Sequence, residues 1–198
     1  MSALERLAGR LTQAFLDVGF DRSTMSDLAK ACGLTRRALY HHFSNKEEAF
    51  RYILRYNGDI AIRLGLEAGR EALEAGLDPI EIFTRTMNIR YGETRRRLAL
   101  SPHATEINDN AFRLARDIMV EAAISFQAQV AELIMAMEAR DLLKLKAETT
   151  PAALAQTLCD GARGTNQALP PIPAEELIHR YRKMMAAILY GMTEKIRP

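Results

Sequence analysis

The sequence predicts an all-α protein, on three observations. No stretch alternates apolar and polar residues with β-branched side chains. Apolar residues instead recur at i, i+3 and i+4 along most of the chain. Pro79, Pro102, Pro151 and the cluster Pro170, Pro171 and Pro173 then cut it into helix-length pieces. A chain of 198 residues is one large domain or two small ones, and buries a core without a metal or disulfide staple. Its 48% hydrophobic and 26% charged residues are ordinary for a folded protein and argue against disorder. Cys32 and Cys159 stand alone, which excludes a disulfide scaffold and a cysteine-based zinc site.

The first helix spans 2–18, with Leu4, Leu7, Leu11, Ala14, Phe15 and Val18 on one apolar face. Gly19 stops it in the left-handed region. Thr24 caps a short helix, with Asp27 three residues on; Leu28 and Ala31 face inward, and Gly33 closes it. Thr35 caps a second short helix, 36–42, whose inner side is Leu39 with Phe43 just beyond. Ser44 and Glu47 form an S-x-x-E capping box opening a long helix from Lys46 toward residue 75. Further helices are predicted at 79–99, 103–113, 114–142, 151–168 and 174–196, with the second and third of these separate or one bent helix. Phe112, Met119, Ala122, Phe126, Val130, Leu133 and Met137 line one face of the middle segment; Leu177, Tyr181, Met184, Ile188 and Met192 line one face of the last.

The overall charge is +2, but residues 1–56 hold nine Lys/Arg against six Asp/Glu, a net +3 that admits a nucleic-acid partner at this end. The longest uncharged stretches, such as 184–193, fall short of a membrane span, and Glu5 and Arg6 interrupt any leader-like apolar run. The expected setting is a reducing cytoplasm, with no membrane partner.

Residues 24–46 carry the functional signal. Two short helices joined through Ala31-Cys32-Gly33-Leu34-Thr35 have the dimensions of a helix-turn-helix, whose second helix enters the DNA major groove. Opposite Leu39 and Phe43 that helix presents Arg36, Arg37, Tyr40 and His41. Arginine pairs with guanine O6 and N7. Tyr40, His42 and Lys46 lie where phosphates pass, and Thr24 and Thr35 bring hydroxyls to helix N-termini. A three-helix bundle with an exposed basic turn would show much of the same pattern.

The run Ala14-Phe15, Gly19-Phe20, Ser23-Thr24-Met25, Leu28-Ala29-Lys30-Ala31-Cys32-Gly33-Leu34-Thr35, Ala38, and above all Leu39-Tyr40-His41-His42-Phe43-Ser44-Asn45-Lys46-Glu47, closely resembles the N-terminal domain of TetR-family transcriptional regulators. The resemblance covers the first quarter of the chain, and the remaining helix pattern agrees with a fold of about nine helices. It implies a DNA-binding domain over 1–46 and a ligand-binding and dimerisation domain over 47–198. It implies a homodimeric repressor, released from a palindromic double-stranded operator by a small-molecule effector. By the same resemblance Arg36, Arg37, Ala38 and His41 read bases, while Thr24, Thr35, Tyr40, His42 and Lys46 contact phosphates. Arg37 departs from the many relatives with a glycine or small residue there, so no operator sequence carries over.

Candidate pocket residues are Phe83, Met87, Tyr91, His103, Phe112, Met119 and Phe126, which would equally serve as plain core. His103, Asn108 and Asn110 could add polar contacts. A dimer face is expected on the last two helices: Leu158, Gly161, Ala162, Thr165, Tyr181, Met184, Ile188 and Met192. No cofactor and no metal are expected. An enzyme is disfavoured, because no nucleophile–base pair or phosphate loop appears and the adjacent His41 and His42 point different ways. The alternative is a helical ligand-binding or adaptor protein without specific operator binding.

Overall fold

The computed structural model describes residues 2–196. Among these residues ten α-helices run in order: α1 Ala3–Val18, α2 Met25–Cys32, α3 Arg36–Tyr40, α4 Lys46–Glu74, α5 Pro79–Met87, α6 Glu93–Ala99, α7 Ala104–Leu114, α8 Arg116–Ala139, α9 Pro151–Asn166 and α10 Leu177–Met192. A π-helical turn, Asn88–Gly92, joins α5 to α6, so 79–99 is one continuous rod and nine rods are present among the described residues. Ala115 breaks α7 from α8, which resolves the 103–142 segment into two helices. Two short strands, β1 Leu143–Leu145 and β2 Thr193–Ile196, pair antiparallel. They correct the strand-free expectation, and α10 ends at Met192 instead of 196. Three residues of strand are too few for a period to show in the sequence.

By contacts the chain forms two compact units, one of residues 1–60 and 97–122, the other of 61–96 and 123–198. In the first unit, Phe15, Phe20 and Phe50 form an aromatic triad with ring centroids 4.9–6.1 Å apart. Leu11, Leu28, Leu39 and Ile107 pack into the same core. Each such fully buried side chain contributes about 1.5–3 kcal/mol. Leu4 and Val18 fall off the α1 stripe and stay exposed, and on α2 Ala29 and Cys32 are buried while Ala31 is exposed.

In the second unit α10 packs on α5 and α9. Its buried stripe is Leu177, Tyr181, Met185 and Leu189; Met184, Ile188 and Met192 lie one position round the helix, half-exposed. Helix α8 alters the expectation about membrane-length segments. By length and composition it is long and apolar enough to cross a membrane, with mean hydropathy 1.4 over 18 residues. Its Phe126, Val130, Ile134 and Met137 are core instead.

Candidate nucleic-acid interface

Helices α2 and α3 are each built by local capping. The Thr24 hydroxyl accepts from the Asp27 amide at 3.2 Å and donates to its carboxylate at 2.6 Å. These bonds hold the Asp27 carboxyl below its usual range. Gly33, at φ 67°, takes the left-handed turn between the helices, and Arg10 Nη1 donates to Cys32 O at 2.6 Å to hold its base. Thr35 Oγ1 accepts the Ala38 amide at 3.1 Å, which leaves its hydroxyl proton free to donate outward. The cap of α4 lies one residue later than the sequence suggests. Asn45 Oδ1 accepts from the Glu48 amide at 2.9 Å, and Glu48, not Glu47, reaches back to the Ser44 amide at 2.6 Å.

With Leu39 and Phe43 anchored in the core, α3 turns Arg36, Arg37 and Tyr40 to solvent, followed by His41 and His42. Ala38 is half-buried. The Arg36 guanidinium lies 5.4 Å over the Tyr40 ring and its Nη2 is 3.4 Å from the Tyr40 hydroxyl, a prealigned pair on the outer surface. Thr24 and Lys46 are spent differently. The Thr24 hydroxyl proton serves the α2 cap. The Lys46 ammonium donates to the carbonyls of Phe20, Asp21 and Ser23 at 2.9, 3.0 and 3.2 Å and lies 4.6 Å from the Phe20 ring centroid. Its three donors are used, so Lys46 pins the α1–α2 turn and has none left for a phosphate.

The same turn is held from α7. Glu106 accepts from the Asp21 amide at 2.7 Å, and its carboxylate lies 3.4 Å from His103 Nδ1. Asn110 Nδ2 reaches Asp21 at 3.4 Å, and Ser101 Oγ donates to Leu16 O at 2.5 Å. These contacts place His103 and Asn110 in structural roles inside the first unit, whereas Asn108 stays exposed.

The expected pocket residues are divided between the two units. Phe83, Met87, Tyr91 and Phe126 are buried in the second unit. His103, Phe112 and Met119 belong to the first, and Phe112 is exposed because α7 buries its Ile107–Ala111 side. A groove of about 550 Å³ opens elsewhere, lined by Thr165, Leu169, Ile172, Lys183 and Met184 among others. Of the expected dimer face, Leu158, Ala162 and Tyr181 are fully buried within the chain; they lie on the inward stripes of α9 and α10 and cannot meet a partner. Gly161, Thr165, Met184, Ile188 and Met192 remain half-exposed. Among the described residues no three His, Cys, Asp or Glu side chains gather to hold a metal.

One interior cluster escaped the sequence reading. Arg90 and Tyr91 on the π turn meet Cys159 and Arg163 of α9. The Arg90 guanidinium lies 4.8 Å from the Tyr91 ring centroid and 5.6 Å from that of Phe126. Arg163 lies beside the Tyr91 hydroxyl and pairs with Asp160. Burial raises the Tyr91 phenol and pushes the Cys159 thiol up to about 12, so both stay neutral. A signal existed on α9: Arg163 follows Ala155 and Cys159 at four-residue spacing, ending an apolar helix stripe with a cation.

Residues 12–53 match the family described as bacterial regulatory proteins, tetR family. No curated protein matches the chain. Among solved structures, it is similar to a Mesorhizobium loti protein assigned to the TetR-family transcriptional regulators: 16% identity, TM-score 0.70, 96% of both chains covered. It is similar also to the TetR-family regulator PfmR of Thermus thermophilus, at 21% identity and TM-score 0.59, covering 93% of this chain and 97% of that one. A third is the TetR-family repressor FadR of Thermus thermophilus, in complex with lauroyl-CoA, at 18% identity and TM-score 0.62, covering 98% and 97%.

Proposed function

We propose that this chain, whose residues 12–53 match the family of bacterial regulatory proteins, tetR family, and whose fold is that of TetR-family regulators, is a homodimeric transcriptional repressor released from a palindromic operator by a small molecule. The observation that carries this reading is the α3 surface. Arg36, Arg37 and Tyr40 stand exposed on a helix whose Leu39 is locked in the core, so the readers have a fixed direction. Arg36, Arg37, Ala38 and His41 are assigned to base edges, and Thr35, Tyr40 and His42 to phosphates. Thr24 and Lys46 support the readers.

Two-fold pairing through Gly161, Thr165, Met184, Ile188 and Met192 would set two reading helices about 34 Å apart, one helical turn of DNA. The FadR relative holds lauroyl-CoA, which supports a small-molecule effector in this fold. An effector that favours a wider-set dimer would draw population away from the DNA-competent state. Because α7 holds the α1–α2 turn through Glu106 and Asn110, displacement of α7 would reach the readers directly.

The test is selection of sites from random duplexes followed by fluorescence anisotropy in a salt series, with Arg36→Ala and Tyr40→Ala beside the wild type. A two-fold symmetric site, bound steeply with salt and weakened by both substitutions, is the expected result. Failure to enrich any symmetric site would overturn the reading in favour of a helical sensor without an operator.

A further inference from the structure

We infer that the Tyr91 cluster receives the head group of the effector, and that the effector is a small organic monocarboxylate with an apolar body. This rests on the ligand-responsive reading above and names the chemistry of its ligand.

Nη1 of Arg163 is shut off from solvent and makes no hydrogen bond among the described residues. A guanidinium nitrogen sealed in that state is costly, and a carboxylate oxygen is its natural partner. Asp160 takes the other nitrogen, Nη2, from the outer side and is itself largely exposed. Around the sealed atom stand the neutral Tyr91 phenol, whose oxygen lies beside the Arg163 guanidinium and whose O–H can donate, the neutral Cys159 thiol, and the Arg90 guanidinium over the Tyr91 ring. An interior rich in donors favours an anion. Asp160 already offsets part of the Arg163 charge, so a single negative charge fits better than a phosphate's two.

The backbone is irregular at this place. The π turn Asn88–Gly92 interrupts a helix that is otherwise α-helical from Pro79 to Ala99, and such turns are frequent at functional sites. The neighbourhood is apolar: Phe126 packs edge-on against the Tyr91 ring, and Met87 and Phe83, four and eight residues before Tyr91, are fully buried. They are closely packed, so entry of a ligand body requires a side chain to move, and unbranched Met87 is the adaptable one.

The experiment uses the full-length chain and four probes, octanoate, decanoate, benzoate and phenylacetate, each beside its primary amide. Thermal denaturation with and without 1 mM probe reads binding without DNA, and operator anisotropy runs in parallel. At least one carboxylate is expected to raise the melting temperature while its amide does not, and to weaken operator binding. Arg163→Gln, checked for folding by circular dichroism, should lose the preference over the amide by at least tenfold in Kd. Asp160→Asn removes the competing carboxylate and should tighten carboxylate binding, a gain that a merely structural Arg163 would not give. The inference is overturned if no carboxylate outperforms its amide, or if folded Arg163→Gln binds as the wild type does. A carboxylate that stabilises a chain with no operator would leave the inference standing and overturn the repressor reading instead.

Discussion

Replacing Lys46 with methionine separates two roles that the sequence alone assigns to one residue. Methionine keeps most of the stem and removes the ammonium, leaving the carbonyls of Phe20, Asp21 and Ser23 without their donor. A hydrogen bond from a charged group contributes about 1.5–3 kcal/mol. The Asp21 bond is exposed and its carbonyl can turn to water, so two bonds at the low end, about 3 kcal/mol, are lost. The contact with Phe20 adds about 0.5 kcal/mol, and the side-chain entropy released by a freed stem returns about 1 kcal/mol. The net loss is about 2–3 kcal/mol, or about 4–12 °C in melting temperature for a chain of this size. Urea unfolding followed by circular dichroism measures it, with Lys46→Arg as a control whose planar fork cannot converge on three carbonyls. Operator anisotropy against salt supplies the opposing result. If Lys46→Met unfolds within about 0.5 kcal/mol of wild type, and its salt slope drops by about 0.9 as for one lost phosphate contact, the ammonium belongs to the DNA and the pin does not exist.

Other outcomes follow from the same geometry. A Cβ on Gly19, at φ 84°, would lie 2.7–2.9 Å from the Glu106 carboxylate and the His103 ring; Gly19→Ala should lose at least about 1 kcal/mol in thermal denaturation, with a smaller loss in a Glu106→Ala background. Arg51 grips Asp117 through two bonds of 2.8 and 2.6 Å and holds that carboxyl well below the usual range. A depressed carboxyl stabilises above its unfolded value of about 3.9 and loses that contribution as the pH falls further. The stability gap between wild type and Arg51→Gln should therefore begin to narrow below about pH 4 in acid titrations and shrink further as the pH falls. Cys32 and Cys159 are buried with raised pKa values, so iodoacetamide at pH 8 should label neither until urea unfolds the chain. Ile188→Glu places a charge on the half-exposed α10 stripe and should shift a dimer to monomer in sedimentation, whereas Leu158→Ala should lower stability by about 2–5 kcal/mol without that shift.

The helices that sequence places best are those with local signals. Thr24-x-x-Asp27, Gly33 and Thr35 fix α2 and α3 because capping is decided within four residues. The reading face of α3 was legible for the same reason: one buried Leu39 dictates where Arg36, Arg37 and Tyr40 point. What sequence could not supply were facts of three-dimensional competition. Lys46 resembles a phosphate contact until three carbonyls are brought round it. The Met184–Ile188–Met192 stripe and the Leu177–Tyr181–Met185–Leu189 stripe both satisfy helical spacing, and only the packing of α10 on α5 and α9 decides which is inside. The π turn left no trace because one extra residue per turn changes no residue type. Phe112 looked like core on period alone, and the break at Ala115 removed it from the α8 face.

The composition of the first unit bears on modularity. The segment proposed to recognise DNA is short in sequence, yet its core is completed by Ala49, Phe50 and Ile53 from α4 and by Ile107 and Ala111 from α7. A graft cut at residue 46 would carry the reading surface without those five side chains, exposing Phe15, Phe20 and Phe43 to water. Exchange of specificity between regulators of this architecture therefore calls for repainting α3 in place, at Arg36, Arg37 and Tyr40. A transplanted head would need to bring residues 1–60 together with 97–122, two pieces that the chain separates by thirty-six residues.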